Sequence, residues 1–324
     1  MFGEQELELI RDRLGDCATP LSLTFYPSSS DAAFSSSFER VADAVAKAAG
    51  RGVVLRRGRV QEALATPSLT ITAPGRGAIS YLALPEALET SPFLEALFPD
   101  RQIADEKPFA RVDEIDQPAQ IWVFIAATCP HCPQAVRSAN RLARASEKVS
   151  TAIVDAQRFS DLAARFNIQS VPATLIDQRL TLTGVIPAEQ LLEKILARNS
   201  PAFQAGVLLS LIEASRFSAA AAHVLSEGGA ADFFALWSQS TISSRMGLLM
   251  VVEEVLPKNP EALHGVVDRF IDLLETEDTP LRGDTADLLG RIGDIRAKPA
   301  LQALLSDRHP DVAEIAAEAL EMLR

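Results

Sequence analysis

The chain carries at positions 121–155 the stretch IWVFIAATCPHCPQAVRSANRLARASEKVSTAIVD. Its first part, Ile121–Ala127, is too short for a helix and rich in aromatic and β-branched residues, so it predicts a buried strand. Apolar residues at helical spacing follow from Val136, and Ser150–Val154 predicts a second strand. The turn between the first strand and the helix contains Cys129-Pro130-His131-Cys132. A strand–helix–strand unit with a cysteine pair at its first turn is therefore predicted.

The residues after this unit predict the rest of a small α/β domain. In chain order the predicted elements are a helix at Ser160–Phe166, a strand at Ala173–Ile176 after Pro172, a strand at Leu180–Leu182, and an amphipathic helix at Ala188–Ala197. A polar turn at Asp177-Gln178 makes the last two strands a hairpin.

The first third of the chain predicts the same order of elements. These elements are strands at Leu21–Tyr26, Gly52–Leu55, Leu69–Thr72 and Ala78–Leu82, with a helix at Ser37–Ala49. Pro67 precedes its strand as Pro172 precedes its own, so we predict a tandem repeat of one fold. At the position of the cysteine pair the first copy has Ser28-Ser29-Ser30-Asp31, which contains no thiol. The first copy is therefore expected to give structural support, to offer a docking surface, or to shape one side of a substrate groove.

The last third, from Pro201 onward, predicts only helices, with breaks near Gly228, Lys258–Pro260, Glu277–Thr279, Gly293-Asp294 and Asp307–Pro310. Its end overlays on itself at a spacing of about 31 residues. This overlay pairs Leu281 with Val312, Ala286 with Ala317, and Leu289 with Leu320. The pattern is similar to HEAT-like repeats, and residues 203–324 hold roughly three such helix pairs, about the minimum for a stable solenoid.

Composition and charge limit the functions to consider. The 324 residues are 48% apolar and 23% charged, which is typical of folded soluble proteins. Residues 199–324 hold 10 basic and 19 acidic side chains, so they carry −9 of the net charge of −12. This charge disfavours nucleic acid and anionic membranes and favours a basic protein partner on the repeat domain, although it also serves solubility. No apolar run approaches the ~20 residues of a membrane span, and no secretory signal opens the chain, so we expect a cytoplasmic protein.

The cysteine pair predicts thiol–disulfide exchange. Cys129 follows a strand at a helix start, where the unpaired N–H groups and the helix dipole stabilise a thiolate. Cys129 is therefore the expected nucleophile, and Cys132 resolves the mixed disulfide. Pro130 is expected in the first helical turn. His131, if cationic, would stabilise the thiolate of Cys129 and raise the reduction potential, although it can equally be a solvent-facing histidine.

Two other interpretations of the cysteines were weighed. A Cys-x-x-Cys pair is also half of a zinc site, but Cys17 and four scattered histidines are the only further zinc-binding candidates among the cysteines and histidines, and none has finger spacing. We therefore predict no metal, and Cys17 is expected to be inert. The basic stretch Arg51–Arg59 is expected to be a solvated strand edge.

Cys129-Pro130-His131-Cys132, with Val171-Pro172-Ala173 following about 40 residues later, resembles the thioredoxin/glutaredoxin superfamily. Residues 1–198 together resemble the tandem protein disulfide oxidoreductases and the N-terminal domain of the alkyl hydroperoxide reductase flavoprotein subunit. The resemblance implies that Cys129 is the exposed nucleophile and that Cys132 is the buried resolving thiol. It also implies that Pro172 is a cis-proline facing them, and that an extended substrate binds at Val171 and Pro172. It also implies reduction by a flavoprotein resembling thioredoxin reductase, because this chain has no Gly-x-Gly-x-x-Gly fingerprint and is expected to bind no cofactor.

The chain departs from these families at two positions. Thioredoxins have a proton-relaying acid six residues before the first active cysteine, and this chain has Val123 there, so the acid–base partner of Cys132 is unassigned. The small-residue pair by which glutaredoxins hold glutathione is reduced to Gly184.

The predicted fold class is α/β, two tandem thioredoxin-like folds, followed by an all-α HEAT-like domain. The predicted boundaries are 1–112 for the copy without active cysteines, 113–198 for the copy with them, and 199–324 for the repeats. The predicted function is an oxidoreductase acting on protein disulfides through Cys129 and Cys132. The alternative is a HEAT-repeat interaction scaffold whose cysteine pair senses redox state.

Overall fold

A computed structural model describes residues 2–15, 17, 19–59, 64–98, 109 and 111–323. The chain divides into two compact units, Met1–Ala197 and Arg198–Arg324. The first is an α/β unit and the second is helical within its described residues.

The α/β unit contains two successive sets of elements. The first set is α1 (Glu4–Leu14), β1 (Leu21–Tyr26), α2 (Ala32–Ala49), β2 (Val53–Arg57), β3 (Ser68–Thr72), β4 (Ile79–Leu82) and α3 (Thr90–Leu97). The second set is β5 (Ala119–Ile125), α4 (Cys132–Ala145), β6 (Val149–Asp155), α5 (Ser160–Arg165), β7 (Ala173–Ile176), β8 (Leu180–Thr183) and α6 (Ala188–Leu196). Each set has the order strand–helix–strand before an antiparallel hairpin, as the sequence predicts.

One eight-stranded mixed sheet runs through both sets, in the order β2-β1-β3-β4-β6-β5-β7-β8. In each set the first two strands are parallel and the last two form an antiparallel pair. The sets meet where β4 pairs in parallel with β6. Gly77 lies at this junction, where a Cβ atom would come 1.6 Å from the carbonyl oxygen of Val149, so a side chain there would clash with the backbone.

Helix α2 begins five residues earlier than predicted because Asp31 caps it. The carboxylate of Asp31 accepts a hydrogen bond from the backbone N–H of Phe34 at 3.0 Å, which satisfies one of the otherwise unpaired N–H groups of the first turn. Ser35 and Ser36 therefore lie inside the helix rather than before it.

The apolar cluster on one side of the central strands connects both sets. Its members are Leu82, Trp122, Phe124, Ala152, Val154, Ala163, Phe166, Ala173 and Leu175. These residues come from β4 of the first set and from β5, β6, β7, helix α5 and the residue that follows α5 in the second, so they form one continuous core.

Within residues 198–323 the helical unit has eight α-helices, two more than the roughly three predicted pairs. They are α7 (Pro201–Glu213), α8 (Phe217–Val224), α9 (Gly229–Ser238), α10 (Ile242–Val255), α11 (Val267–Leu273), α12 (Thr279–Ile292), α13 (Lys298–Leu304) and α14 (Pro310–Met322). The predicted number was too low because α8 and α9 are short and only Gly228 marks a break between them. Helix α12 packs against α14, the two segments that the 31-residue overlay pairs.

Successive repeats of the helical unit are tied by arginine–aspartate pairs in which the arginine is buried. Nε of Arg245 on α10 lies 2.6 Å from a carboxylate oxygen of Asp284 on α12. Arg282 on α12 makes the equivalent contact with Asp307, at 2.9 Å, and both side chains of this second pair are buried. These pairs fix how one helix hairpin lies on the next.

Candidate active site

The two predicted active cysteines lie together at the carboxyl end of β5. They form a disulfide with a Cα–Cα distance of 5.5 Å, within the usual range for such bonds. Cys132 is completely buried, whereas Cys129 is partly exposed. The backbone N–H of Cys129 donates to the carbonyl oxygen of Ala126 at 3.0 Å, which holds the turn. Of the two cysteines, only Cys129 is therefore accessible to a reacting partner from solvent.

Helix α4 begins at Cys132, later than the sequence indicates. Pro130 and His131 lie in the turn before the helix, and both are exposed. The prediction that Pro130 occupies the first helical turn is therefore wrong, because Pro133 occupies that position. Since the two sulfurs are bonded, Cys129 Sγ still lies beside the first residue of α4, where unpaired N–H groups favour a thiolate.

The segment before β7 lies against the cysteine pair. The peptide bond between Val171 and Pro172 is cis, and the carbonyl oxygen of Val171 lies 3.8 Å from Sγ of Cys129. Pro172 is buried and Val171 is half-buried. The structure therefore brings together the four-residue motif and the Val171-Pro172 segment, although 42 residues separate Cys129 from Val171 in the chain.

The first set has the same backbone arrangement without the thiols. Its Thr66–Pro67 bond is also cis, and the serine segment follows β1 as the cysteine motif follows β5. The hydroxyl groups of Ser28 and Ser30 lie 2.9 Å apart, and the N–H of Ser28 donates to Ser35. This segment therefore uses hydroxyl groups to hold its own turn.

A buried carboxyl that sequence reasoning missed lies beside helix α4. The short turn Ala87–Glu89 contacts α4, and both carboxyl oxygens of Glu89 are buried without a hydrogen-bond partner in the described chain. Burial raises the pKa of Glu89 to about 7, and the positive charge of Arg137 opposes this rise. Val123, at the position of the thioredoxin acid, is buried and cannot titrate. A glutamate outside the cysteine copy gives no local sequence signal for a raised pKa beside α4.

We expect Glu89 to make the protein less stable as pH rises. Its folded pKa of about 7 exceeds the ordinary value of 4.5, so the folded state holds this proton more tightly than the unfolded state. The resulting stabilisation is complete below pH ~4.5 and is lost as pH rises through about 7. Chemical denaturation of the oxidised protein measures this effect. Between these two pH values, the free energy of unfolding of wild type should fall by about 3 kcal/mol more than that of Glu89→Gln. Parallel pH profiles of the two proteins would contradict this assignment.

The remaining cysteine makes a local contact of its own. Cys17 is half-buried and its Sγ lies 3.3 Å from the carbonyl oxygen of Thr19. Across the described positions, no group of three or more His, Cys, Asp or Glu side chains could hold a metal ion. The described helices include none that is long and apolar enough to cross a membrane.

Two family models match parts of the chain. Residues 119–197 match the thioredoxin domain, and residues 254–323 match HEAT repeats. Among curated proteins, the chain is 24% identical over 137 residues to the AhpF component of alkyl hydroperoxide reductase from Staphylococcus epidermidis. It is equally similar to a protein named NADH dehydrogenase from Ferdinandcohnia aciditolerans. Each match covers 40% of this chain and 26% of the relative, so the chain matches about a quarter of these relatives' length.

The α/β unit also has similar solved structures. The NTD_N/C domain of alkylhydroperoxide reductase AhpF from Enterococcus faecalis is 20% identical, with a TM-score of 0.50 over 60% of this chain and 100% of that one. A protein disulfide oxidoreductase from Aeropyrum pernix is 16% identical, with a TM-score of 0.48 over 60% of this chain and 92% of that one.

These matches agree with the predicted fold class. The chain thus combines a thioredoxin-like fold, in which Cys129 and Cys132 form a Cys-x-x-Cys disulfide typical of thiol–disulfide oxidoreductases, with HEAT repeats in its helical unit.

Proposed function

We propose that this protein exchanges disulfides with other proteins through Cys129 and Cys132. The observation that carries the proposal is the pairing of a partly exposed sulfur with a buried one, with the carbonyl oxygen of Val171 3.8 Å from the exposed sulfur. An exposed nucleophile and a shielded resolving thiol are what a two-step exchange requires. The Val171-Pro172 segment is the proposed binding edge for the substrate chain, because the half-buried Val171 lies beside Cys129 and an extended peptide can pair with a backbone edge of this kind.

The exchange runs in two balanced steps. In the reduced protein, the thiolate of Cys129 attacks one sulfur of the substrate disulfide, and the other sulfur leaves as a thiolate that takes up a proton. The Cys132 thiol then loses its proton and attacks the Cys129 sulfur, which releases the second substrate thiol. Two electrons pass to the substrate, and Cys129–Cys132 is left as the disulfide. The proton that Cys132 loses balances the one that the released substrate thiolate takes up.

Dithiothreitol-driven reduction of insulin tests this proposal. Wild type should accelerate insulin reduction, whereas Cys129→Ser and Cys132→Ser should remain at the uncatalysed rate. Cys17→Ser is the matched control, because it removes a thiol that takes no part in the exchange, and it should retain full activity. Equal inactivity of wild type and Cys129→Ser would rule out catalysis of this kind.

The reduction potential should lie above the roughly −270 mV of thioredoxin. His131 is exposed immediately before α4, so its cationic form, together with the helix N-terminus, would stabilise the Cys129 thiolate and therefore the reduced form. About 30 mV corresponds to 1.4 kcal/mol of this stabilisation. In a glutathione-buffered titration, His131→Pro should lower the potential relative to wild type. A potential below that of thioredoxin would refute the role given to His131.

A flavoprotein resembling thioredoxin reductase is the proposed electron donor. After each cycle the Cys129–Cys132 disulfide must receive two electrons, and we propose that a separate flavoprotein supplies them in the cytoplasm. Coupled oxidation of NADPH by thioredoxin reductase, dependent on this protein and on insulin, measures the transfer. If Cys129→Ser abolishes this oxidation of NADPH, the electrons pass through Cys129 and not directly from the flavoprotein to insulin.

A protein-binding role for the helical unit is the second candidate. Ile242, Met246 and Met250 recur every four residues on α10, and all are exposed, with Met246 at 66%. Such a stripe of large apolar side chains on one helix face is typical of a docking surface, and methionines adapt to varied partners. Because residues 199–324 carry a charge of −9, the proposed partner is basic.

This role is separable from the redox chemistry. Pulldowns with the full chain should lose a basic partner in Met246→Glu and keep it in Cys129→Ser. A partner that binds only the oxidised or only the reduced protein would instead favour the alternative function, a scaffold whose cysteine pair senses redox state.

A further inference from the structure

The outer strand of the first set is an edge of the sheet. Strand β2 pairs in parallel with β1, and no other described strand lies beside it. In the second set β6 holds the place of β2, because β5 and β6 are the first two strands of that set and are also parallel. The far edge of β6 is covered by β4, and the N–H of Thr151 on β6 donates to the carbonyl oxygen of Ala78 at 2.9 Å. The same strand position is therefore covered in one set and is an edge in the other.

The outer edge of β2 presents backbone groups that have no partner in the part of the chain that the structure describes. The N–H of Gly58 donates to the carbonyl oxygen of Phe25 on β1 at 2.8 Å, and Phe25 lies opposite Arg57 in the parallel register. Because backbone groups point to alternate sides along a strand, those of Leu55 and Arg57 point away from β1. Leu55 lies two residues into β2, as Thr151 lies two residues into β6. A further strand can therefore pair with Leu55 as the first set pairs with Thr151.

Arginines line this edge. Residues 51–59 contain four arginines and no acidic residue, in a chain whose net charge is −12. One of them, Arg57, pairs with Glu39 on α2 at 3.0 Å. On the same side of α2, Asp43 and Lys47 follow Glu39 at helical spacing and balance each other. The other three arginines are exposed and have no carboxylate partner among the described residues; they are Arg51, Arg56 and Arg59. The edge therefore attracts a negatively charged partner.

Apolar side chains are exposed between the arginines. Val54 is 42% exposed and Leu55 is 36% exposed, although both belong to a strand. On β6, where β4 covers the edge, the residues from Thr151 to Val154 are all buried. A strand added to β2 would cover Val54 and Leu55 in the same way, so its side chains opposite them should be apolar.

A second copy of this chain does not fit this edge. Strand β8 ends the second set as β4 ends the first, but Gln178 stands two residues before β8 where Gly77 stands two residues before β4. A Cβ atom at Gly77 would come 1.6 Å from the carbonyl oxygen of Val149 on β6, so a strand preceded by Gln178 cannot approach β2 as β4 approaches β6. Pairing β2 with the β2 of another copy would bring together four arginines from each chain, and their repulsion opposes it.

We propose that β2 binds an extended acidic segment of another protein, which adds to the sheet as a parallel strand, as β4 adds to β6. The backbone of the segment pairs with Leu55 and Arg57, and its apolar side chains cover Val54 and Leu55. Its carboxylates lie opposite Arg56 and the arginines that flank β2. The arginines attract this partner and keep copies of the chain apart, which makes the edge specific. The binding takes no part in the chemistry of Cys129, so it gives the first set a docking role of its own.

Fluorescence polarisation with the full oxidised chain tests this inference. The probe is a short labelled peptide of valines followed by glutamates, which matches Val54-Leu55 followed by Arg56-Arg57 in a parallel strand. This peptide should bind. Its analogue with N-methylated backbone amides should not, because it cannot donate the backbone hydrogen bonds. A peptide with lysines in place of the glutamates should not bind either, because its charge matches that of the edge.

Variants of the chain locate the binding on β2. Arg56→Glu should weaken binding of the valine–glutamate peptide about tenfold. Leu55→Pro should abolish it, because proline removes an N–H that points away from β1 and leaves the bonds to β1 in place. Arg165→Glu is the matched control, because it makes the same charge change on α5 of the second set, and it should bind like wild type.

Four outcomes would overturn the inference. The first is no binding of the valine–glutamate peptide to wild type, and the second is equal binding by Arg56→Glu. Equal binding of the N-methylated peptide, or binding of polyuridylate as tight as that of the peptide, would show that the arginines attract anions without strand pairing. A wild-type dimer in sedimentation that Leu55→Pro disrupts would show that a second copy occupies the edge.

Discussion

Replacing Cys132 with serine is expected to turn the protein into a trap for its substrates. Cys129 can still attack a disulfide, but the thiol that would release the mixed disulfide is gone, so the complex persists. Non-reducing electrophoresis should show adducts that dithiothreitol removes, and mass spectrometry should locate each adduct on Cys129.

The double variant Cys129→Ser/Cys132→Ser is the control for this prediction, because it lacks both thiols and should form no adducts. Wild type should form few, since Cys132 resolves them. Adducts that form on Cys17 instead, or that persist in the double variant, would show that the assigned order of attack is incorrect.

Replacing Arg282 with alanine is expected to destabilise the helical unit by about 3–5 kcal/mol. Arg282 is buried and the side chain of Asp307 is only 9% exposed. The hydrogen bond from Arg282 is the main cause of the lowered pKa of Asp307, so removing Arg282 leaves a little-exposed carboxyl group without the partner that favours its charge. Arg282 also donates to the carbonyl oxygen of Thr276. The loss should appear as a lower denaturant midpoint for the helical circular dichroism signal.

Arg308→Ala is the matched control, because the Arg308–Glu277 pair joins neighbouring segments but is solvent-exposed. Exposed pairs contribute about 0–1 kcal/mol, so this variant should barely shift the midpoint. Equal shifts for Arg282→Ala and Arg308→Ala would show that burial of the pair does not govern its contribution.

Local pattern predicts most of the α/β unit. The apolar run at Ile121 and the turn chemistry around Pro67 and Pro172 indicate the strands and their order, because both depend on neighbouring residues. The 31-residue overlay likewise identifies α12 and α14 as equivalent helices, since HEAT-type packing leaves a repeated spacing of apolar residues.

What the sequence does not predict depends on contacts between distant segments. Strands β4 and β6 belong to different copies, and each copy predicts its own strands from its own residues. No pattern among neighbouring residues therefore predicts that these two strands pair. Glu89 lies in the first copy, in a turn that contacts helix α4 of the second copy. Its pKa is raised because the folded chain buries its carboxyl group. The start of α4 at Cys132 is likewise set by the turn that holds Cys129 and by Pro133.

The central claim is that Cys129 and Cys132 together pass two electrons to a protein disulfide. The most direct measurement mixes the pre-reduced protein with one equivalent of insulin without oxygen, then alkylates and counts thiols and disulfides by mass spectrometry. The account predicts one Cys129–Cys132 disulfide for each insulin disulfide lost, with Cys17 alkylated throughout. Loss of insulin disulfides without formation of Cys129–Cys132, or oxidation of that pair without new insulin thiols, would contradict it.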